Sequence, residues 1–214
     1  MLLNEGWKLI NQFTDKYFKE SQRMKSRFNL LEYSVKQAMK DGLFLEFGVW
    51  KGDSLKHLSK IRPDKRFYGF DTFKGLPEDW SDFYPKGHMM LDNPPYISGD
   101  VILIVGLFQD TLEGFLEEYG DKVSFLHLDA DLYSSTKYVL FTLADQNRLQ
   151  KGTIIEFDEI FYQDSIVTVL DDEHRVFNEF IEKYDVKFEW LKFFQRKATT
   201  RASLIIKEFN GVKK

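Results

Sequence analysis

The feature that most constrains this chain is a change of rhythm at Gly42. Before it, apolar residues recur at helical spacing, at Trp7, Ile10, Phe13 and Tyr17 and again at Phe28, Leu31, Val35 and Met39. Residues 1–41 are therefore expected to be a helical extension, broken in the polar stretch KESQRMKSR. After Gly42, short apolar runs alternate with helical segments. The runs are LFLEF (43–47), RFYGFD (66–71), VILIVG (101–106), VSFLHLD (123–129) and TIIEFDE (153–159). Helices are expected to start near Ser54, Asp110, Ser134 and Asp171. Strands that alternate with helices need right-handed crossovers, hence a parallel sheet with helices on both faces. VKFEWLKF (186–193) and RASLIIKE (201–208) are only seven residues apart, too close for a crossover helix, and read as an antiparallel hairpin finishing the sheet. The expected fold is α/β and Rossmann-like, with seven strands, the last one reversed, in one domain over residues 1–214.

Composition excludes several classes of function. There is no cysteine, so disulfides, thiolate zinc sites and cysteine nucleophiles are ruled out. A net charge of −4 argues against a nucleic-acid partner, because phosphate affinity rests on clustered Lys and Arg. The longest apolar stretch, Val101 to Phe108, is too short to span a bilayer, and MLLNEGWKLINQ lacks the apolar core of a signal peptide. A cytoplasmic protein without a membrane partner is expected. Residues 72–100, rich in Pro, Gly and aromatics and without a clear period, read as a lid loop over a binding site.

In open α/β sheets, ligands sit at the carboxyl ends of the strands. The polar residues expected there are Glu46, Asp71, Gly106 with Gln109, Asp129 with Asp131, and Asp158 with Glu159. Carboxylates crowded in this way repel one another unless a cation, or ligand hydroxyls and amines, lie between them. EFGVWKGDS does not fit a dinucleotide fingerprint, since Trp50 stands where the middle glycine belongs. Glu46 suits a cationic ligand, with Gly48 and Gly52 permitting close backbone approach and Asp53 or Ser54 capping the next helix; a plain turn before a capped helix is the competing reading. Asp71, about two dozen residues on, stands where an acid accepts from ribose hydroxyls. Asn93-Pro94-Pro95-Tyr96 spells the catalytic motif of amino-methylating nucleic-acid enzymes, but falls between the second and third strands instead of after the fourth.

Seven strands with the last reversed is the architecture of class I methyltransferases, and the motifs point the same way. VILIVGLFQDTLEGFL, HLDADLYSST and RLQKGTIIEFDEI resemble the metal-dependent small-molecule O-methyltransferases, catechol O-methyltransferase among them. EFGVWKGDS, FDTFKGLP and LDADLYSST resemble more closely the macrocin O-methyltransferase family, which methylates sugar hydroxyls; the likeness runs from about Leu43 to Phe161. The resemblance implies S-adenosylmethionine as methyl donor. Glu46 would face its methionyl amine, with Gly48, Gly52 and Ser54 lining that end. Asp71 would hold the ribose with Thr72 and Phe73 beside it, and Phe108 with Gln109 would border the adenine. Asp129, Asp158 and Glu159 would bind a divalent metal, magnesium by preference, and Asp129 would border the donor as well. Glu159 departs from the family's second Asp or Asn, and Leu132 stands where catechol O-methyltransferase has a lysine.

The implied reaction is methyl transfer to one of two vicinal hydroxyls on a sugar, glycosylated metabolite or other small molecule, with the metal lowering the hydroxyl's pKa. His88 on the lid and His174 after the fifth strand are candidate bases, and His127 could orient the site. The competing readings are a metal-independent enzyme and a module that binds the donor without turnover. The amino-terminal helices either complete the pocket or pair two subunits in a homodimer, although an apolar stripe is more often plain core.

Overall fold

The run LFLEF becomes a strand buried on both faces, and this decides the layering. In the computed structural model, which describes residues 11–12, 14–163, 169–170, 172–196 and 199–211, Leu43–Phe47 (β2) is an interior strand of the sheet, paired on both sides. Leu43, Leu45 and Phe47 point into one apolar core and Phe44 into another. Successive strand side chains face opposite sides, so a strand buried at every position needs a layer on each.

The chain runs β1 (Gln22–Arg23), α1 (Arg27–Gln37), β2, α2 (Asp53–Ile61), β3 (Phe67–Asp71), β4 (Val101–Val105), α3 (Phe108–Glu118), β5 (Val123–Leu128), α4 (Tyr133–Asp145), β6 (Ile154–Gln163), β7 (Val169–Leu170), α5 (Asp172–Tyr184), β8 (Val186–Arg196) and β9 (Thr199–Phe209). The sheet order is β1-β8-β9-β6-β5-β2-β3-β4, with β7 paired to β6 outside that path. β2 to β6 are mutually parallel, and β9 runs antiparallel to both β6 and β8. The expected mostly parallel sheet with a reversed last strand is present, and its hairpin strands are longer than the apolar runs suggested. Two short pairings add to it. β1 forms inside the polar stretch read as a helix break, and it pairs with β8. The helix expected through Trp7, Ile10 and Phe13 and the helix start at Asp171 lie outside the described residues.

α1 begins where the Ser26 side chain accepts from the Asn29 N–H at 3.1 Å. Its buried residues Leu30, Leu31, Ser34 and Val35, with Leu55 and Leu58 of α2, cover the face carrying Phe44, Phe125 and Ile154. α3, α4 and α5 cover the other face, where Phe47 stacks on Phe70 at 4.5 Å. Truncating Phe47 to alanine would remove about 3–5 kcal/mol from this core. No helix among the described residues is long and apolar enough to cross a membrane. Residues 72–100 form no helix or regular strand, and turn back on themselves through Leu76 and Gly87–His88.

Candidate active site

Register assembles the site. β2, β5, β6 and β9 align Glu46, His127, Glu156 and Ser203 side by side, all fully buried beneath α1 and α2. Two residues further along each parallel strand, on the same face, come Gly48, Asp129 and Asp158, and two residues back along the reversed β9 comes Arg201. One polar row therefore lies inside the sheet, and a second lies above it at the floor of a cavity.

Gly48 allows the two rows to close up. Its φ is +92°, and a Cβ there would stand 1.7 Å from the Asp129 carbonyl oxygen. Its N–H donates to Phe70 O, while the Asp129 N–H donates to Phe47 O at 2.9 Å, clipping the ends of β3, β2 and β5 together. Asp71 then fixes the turn that follows. Its Oδ2 accepts from the N–H groups of Val49 (2.9 Å) and Trp50 (2.8 Å), and its Oδ1 from that of Phe73 (2.7 Å).

In the lower row Ser54 Oγ donates to Glu46 Oε1 at 2.7 Å, and His127 Nδ1 lies 2.9 Å from Glu46 Oε2. His127 Nε2 is 3.8 Å from Asp158 Oδ1. Burial opposes charging this imidazole, but Asp158 and Glu46 outweigh it and raise its pKa well above the usual histidine range. In the upper row Arg201 Nε and Nη2 each donate to one Asp158 oxygen at 2.8 Å. Burial disfavours the Asp158 anion, and Arg201 with His127 more than reverses this, holding its pKa well below the carboxylate range. Asp129 behaves in the opposite way. Burial and the Asp158 charge push its carboxyl well up, and burial with neighbouring carboxylates does the same to Asp131, Glu159 and Glu173.

The cavity has a volume of about 230 Å³. Of the residues expected from the sequence, Gly48, Asp71, Thr72, Phe108, Gln109, Asp129, Asp158 and Glu159 line it. Glu46 and Ser54 do not, because β2 continues past Glu46 to Phe47 and both Glu46 oxygens are engaged inside the protein. Gly52 caps α2 and packs against Ile97, and Phe73 is in the core. The two candidate bases do not line the cavity: His88 is exposed and packs against the ring of Tyr84, which does line it, and His174 is buried against Tyr17 and Phe161. The Asn-Pro-Pro-Tyr segment is also outside, with Tyr96 88% exposed.

Sequence reasoning missed the far wall. Trp80 stacks on Tyr162 at 5.1 Å, Tyr84 and Tyr162 share a hydroxyl hydrogen bond of 2.8 Å, and all three rings line the cavity with Arg27 and Arg201. One signal was available. A charged residue inside a buried run, as in TIIEFDE or LFLEF, demands a partner elsewhere, and the alternation of RASLIIKE places Arg201 and Ser203 on the face of those acids.

The acid-rimmed cavity fits a donor carrying a sulfonium and an ammonium, because its carboxylates need positive charge. The magnesium expectation meets an obstacle. His127, Asp129 and Asp158 offer ligand atoms within 4.8 Å of one another, yet both Asp158 oxygens already face the Arg201 guanidinium. The set Asp129, Asp158 and Glu159, as arranged here, does not fit a magnesium ion.

A parallel sheet in this order with its last strand reversed is the fold of the class I methyltransferases, and the acid-rimmed cavity lies at its strand ends. Comparison with known proteins places it further. The chain belongs to the methyltransferase-domain family that matches residues 45–160. Among solved structures it is similar to the calicheamicin methyltransferase CalS11, at 23% identity over 83% of this chain and 76% of that one, with a TM-score of 0.62. An apo structure of CalS11, described as a TDP-rhamnose 3'-O-methyltransferase, gives 25% identity over the same shares and a TM-score of 0.55. The O-methyltransferase TomG from Streptomyces achromogenes, in complex with S-adenosylmethionine, gives 14% identity over 97% of this chain and 90% of that one, with a TM-score of 0.52. No curated protein matches the sequence.

Proposed function

We propose that the protein transfers the methyl group of S-adenosylmethionine to a hydroxyl of a small polar molecule, a sugar or sugar-bearing metabolite, as the macrocin-like motifs imply. The observation that carries this reading is Asp129. It is a carboxyl of raised pKa on a cavity floor, with Asp71 to one side and the rings of Trp80, Tyr84 and Tyr162 also lining the space. A carboxylate within reach of a bound hydroxyl can take its proton as the methyl group is transferred. The aromatic wall offers flat apolar surface to a sugar ring, and the CalS11 description names a sugar hydroxyl as that enzyme's acceptor.

S-adenosylmethionine, when bound, supplies an electrophilic methyl group. The protein's residues do the rest. Gly48 and the turn held by Asp71 shape the donor end, while Phe108 and Gln109 border it. The rings of residues 80, 84 and 162 exclude water and hold the acceptor, and Asp129 takes its proton.

The test is transfer of tritiated methyl from S-adenosylmethionine to a panel of nucleotide sugars, free glycosides and catechols. Label in a base-stable methyl ether is expected. Label confined to amines or esters, or no turnover across the panel, would overturn the proposal.

A further inference from the structure

The resemblance puts a divalent ion between Asp129 and Asp158; the structure puts a guanidinium against Asp158. β6 and β9 pair Phe157 with Ala202 and Phe161 with Thr200, so Asp158, Glu159 and Ile160 all lie opposite Arg201 alone. A bulge of this kind bends its strand and re-aims side chains, here bringing two acids to one arginine. Besides its two bonds to Asp158, Nη2 lies 3.8 Å from Glu159 Oε1. The Arg201 and Asp158 side chains are only 12% and 4% exposed, so solvent screens the pair little. Magnesium needs oxygen ligands at about 2.0–2.1 Å in near-octahedral order, and a guanidinium hydrogen-bonded to both Asp158 oxygens fixes a like positive charge beside the position the ion would take.

The fork also has capacity left. A guanidinium carries five N–H donors, and the Asp158 pair uses one on Nε and one on Nη2. Among the described residues Nη1 has no hydrogen-bond partner, and Arg201 lines the cavity beside Asp129.

We propose that Arg201 is a catalytic residue standing in for the metal: Asp158 anchors its fork, Nη1 donates to the acceptor oxygen, and methyl transfer requires no divalent ion. The inference rests on the hydroxyl-methylation reading above. As the acceptor oxygen bonds the methyl carbon, the carbon–sulfur bond breaks and leaves a neutral thioether, and the hydroxyl proton passes to Asp129. The Nη1 donor stabilises the oxygen while it carries negative charge, the part a Lewis acid plays elsewhere.

Two measurements on the intact chain test this. In calorimetric titration with magnesium chloride, the protein is expected to take up no ion at millimolar concentration, and chelator is expected to leave the initial rate unchanged. The Arg201→Lys variant keeps the charge but loses the fork. Its kcat should fall by about tenfold or more, while its affinity for S-adenosylhomocysteine stays within about threefold. Stoichiometric magnesium binding, loss of turnover in chelator, or a lysine variant with parental kcat would overturn the proposal. So would a lysine variant that loses homocysteine-product affinity and turnover together, since that marks a purely structural arginine. The magnesium titration reads the site whether or not any acceptor is methylated, so failure of the hydroxyl reading is seen separately.

Discussion

Asp71 is expected to organise the donor-binding turn before any ligand arrives, and Asp71→Asn isolates that role. The carboxylate accepts three backbone N–H groups, two on Oδ2 from Val49 and Trp50 and one on Oδ1 from Phe73. An asparagine has the same shape but only one acceptor oxygen. Whichever way the amide turns, its NH2 must face at least one of those N–H donors, and the remaining bonds lose their charge. A hydrogen bond to a charged group contributes about 1.5–3 kcal/mol and a neutral one about 1 kcal/mol. Because Asp71 is only partly buried, the loss should lie near about 2–3 kcal/mol, or about 30–150-fold in the ordering of the turn. Amide hydrogen exchange of the ligand-free protein reads this directly. The Val49, Trp50 and Phe73 amides should exchange faster by about that factor, with core strands unchanged, and affinity for S-adenosylhomocysteine should fall in parallel. Parental exchange at these amides with weakened ligand binding would refute the reasoning, leaving Asp71 as a ligand contact alone.

Other perturbations have equally definite outcomes. Gly48→Ala would force a Cβ into the Asp129 carbonyl at positive φ, costing about 1–3 kcal/mol from backbone conformation alone; calorimetry should show lost S-adenosylhomocysteine binding and melting a lowered transition. Asp129→Asn should reduce kcat at saturating substrate by about 100-fold or more. Because the Asp129 pKa is raised by burial and by Asp158, the parental rate should rise with pH through a limb above the ordinary carboxylate range, and a limb surviving in the variant would reassign the base. Glu156 is buried and its pKa is raised to about 7, mainly by desolvation. Its protonated form therefore favours folding below the unfolded carboxyl pKa, and that advantage is lost as pH climbs toward 7, by about 3 kcal/mol in all. Glu156→Gln should thus melt progressively higher than the parent as pH rises from 5 to 8, and a constant gap would show that Glu156 does not titrate there.

The sheet was legible because alternation of apolar runs with helical spacing is a local signal, and the reversed hairpin followed from a short connection. The strand-end carboxylates were legible for the same reason, and Asp71, Asp129, Asp158 and Glu159 do meet at one cavity. Glu46 shows the limit. It is the penultimate residue of its strand, two residues before Gly48 on the same face, and its side chain lies in the interior row below the cavity. Arg201 was only partly legible, since alternation in RASLIIKE gives its face but not its partner. Its partner is 43 residues away on an antiparallel strand, and only the register across a bulge brings them together. The rings of Trp80, Tyr84 and Tyr162 come from a loop and a strand end that carry no periodic pattern. His88 and His174 were chosen for their chemistry alone, which says nothing about where a side chain points.

The central claim is that donor and acceptor meet in the cavity at the carboxyl ends of β2, β3, β5 and β6. A crystal structure with S-adenosylhomocysteine tests it most directly. The ribose hydroxyls should lie on Asp71, the adenine against Phe108 and Gln109, and the sulfur on the side of Asp129, open toward Trp80 and Tyr162. Density for the ligand elsewhere on the protein, or a ribose remote from Asp71, would contradict the account.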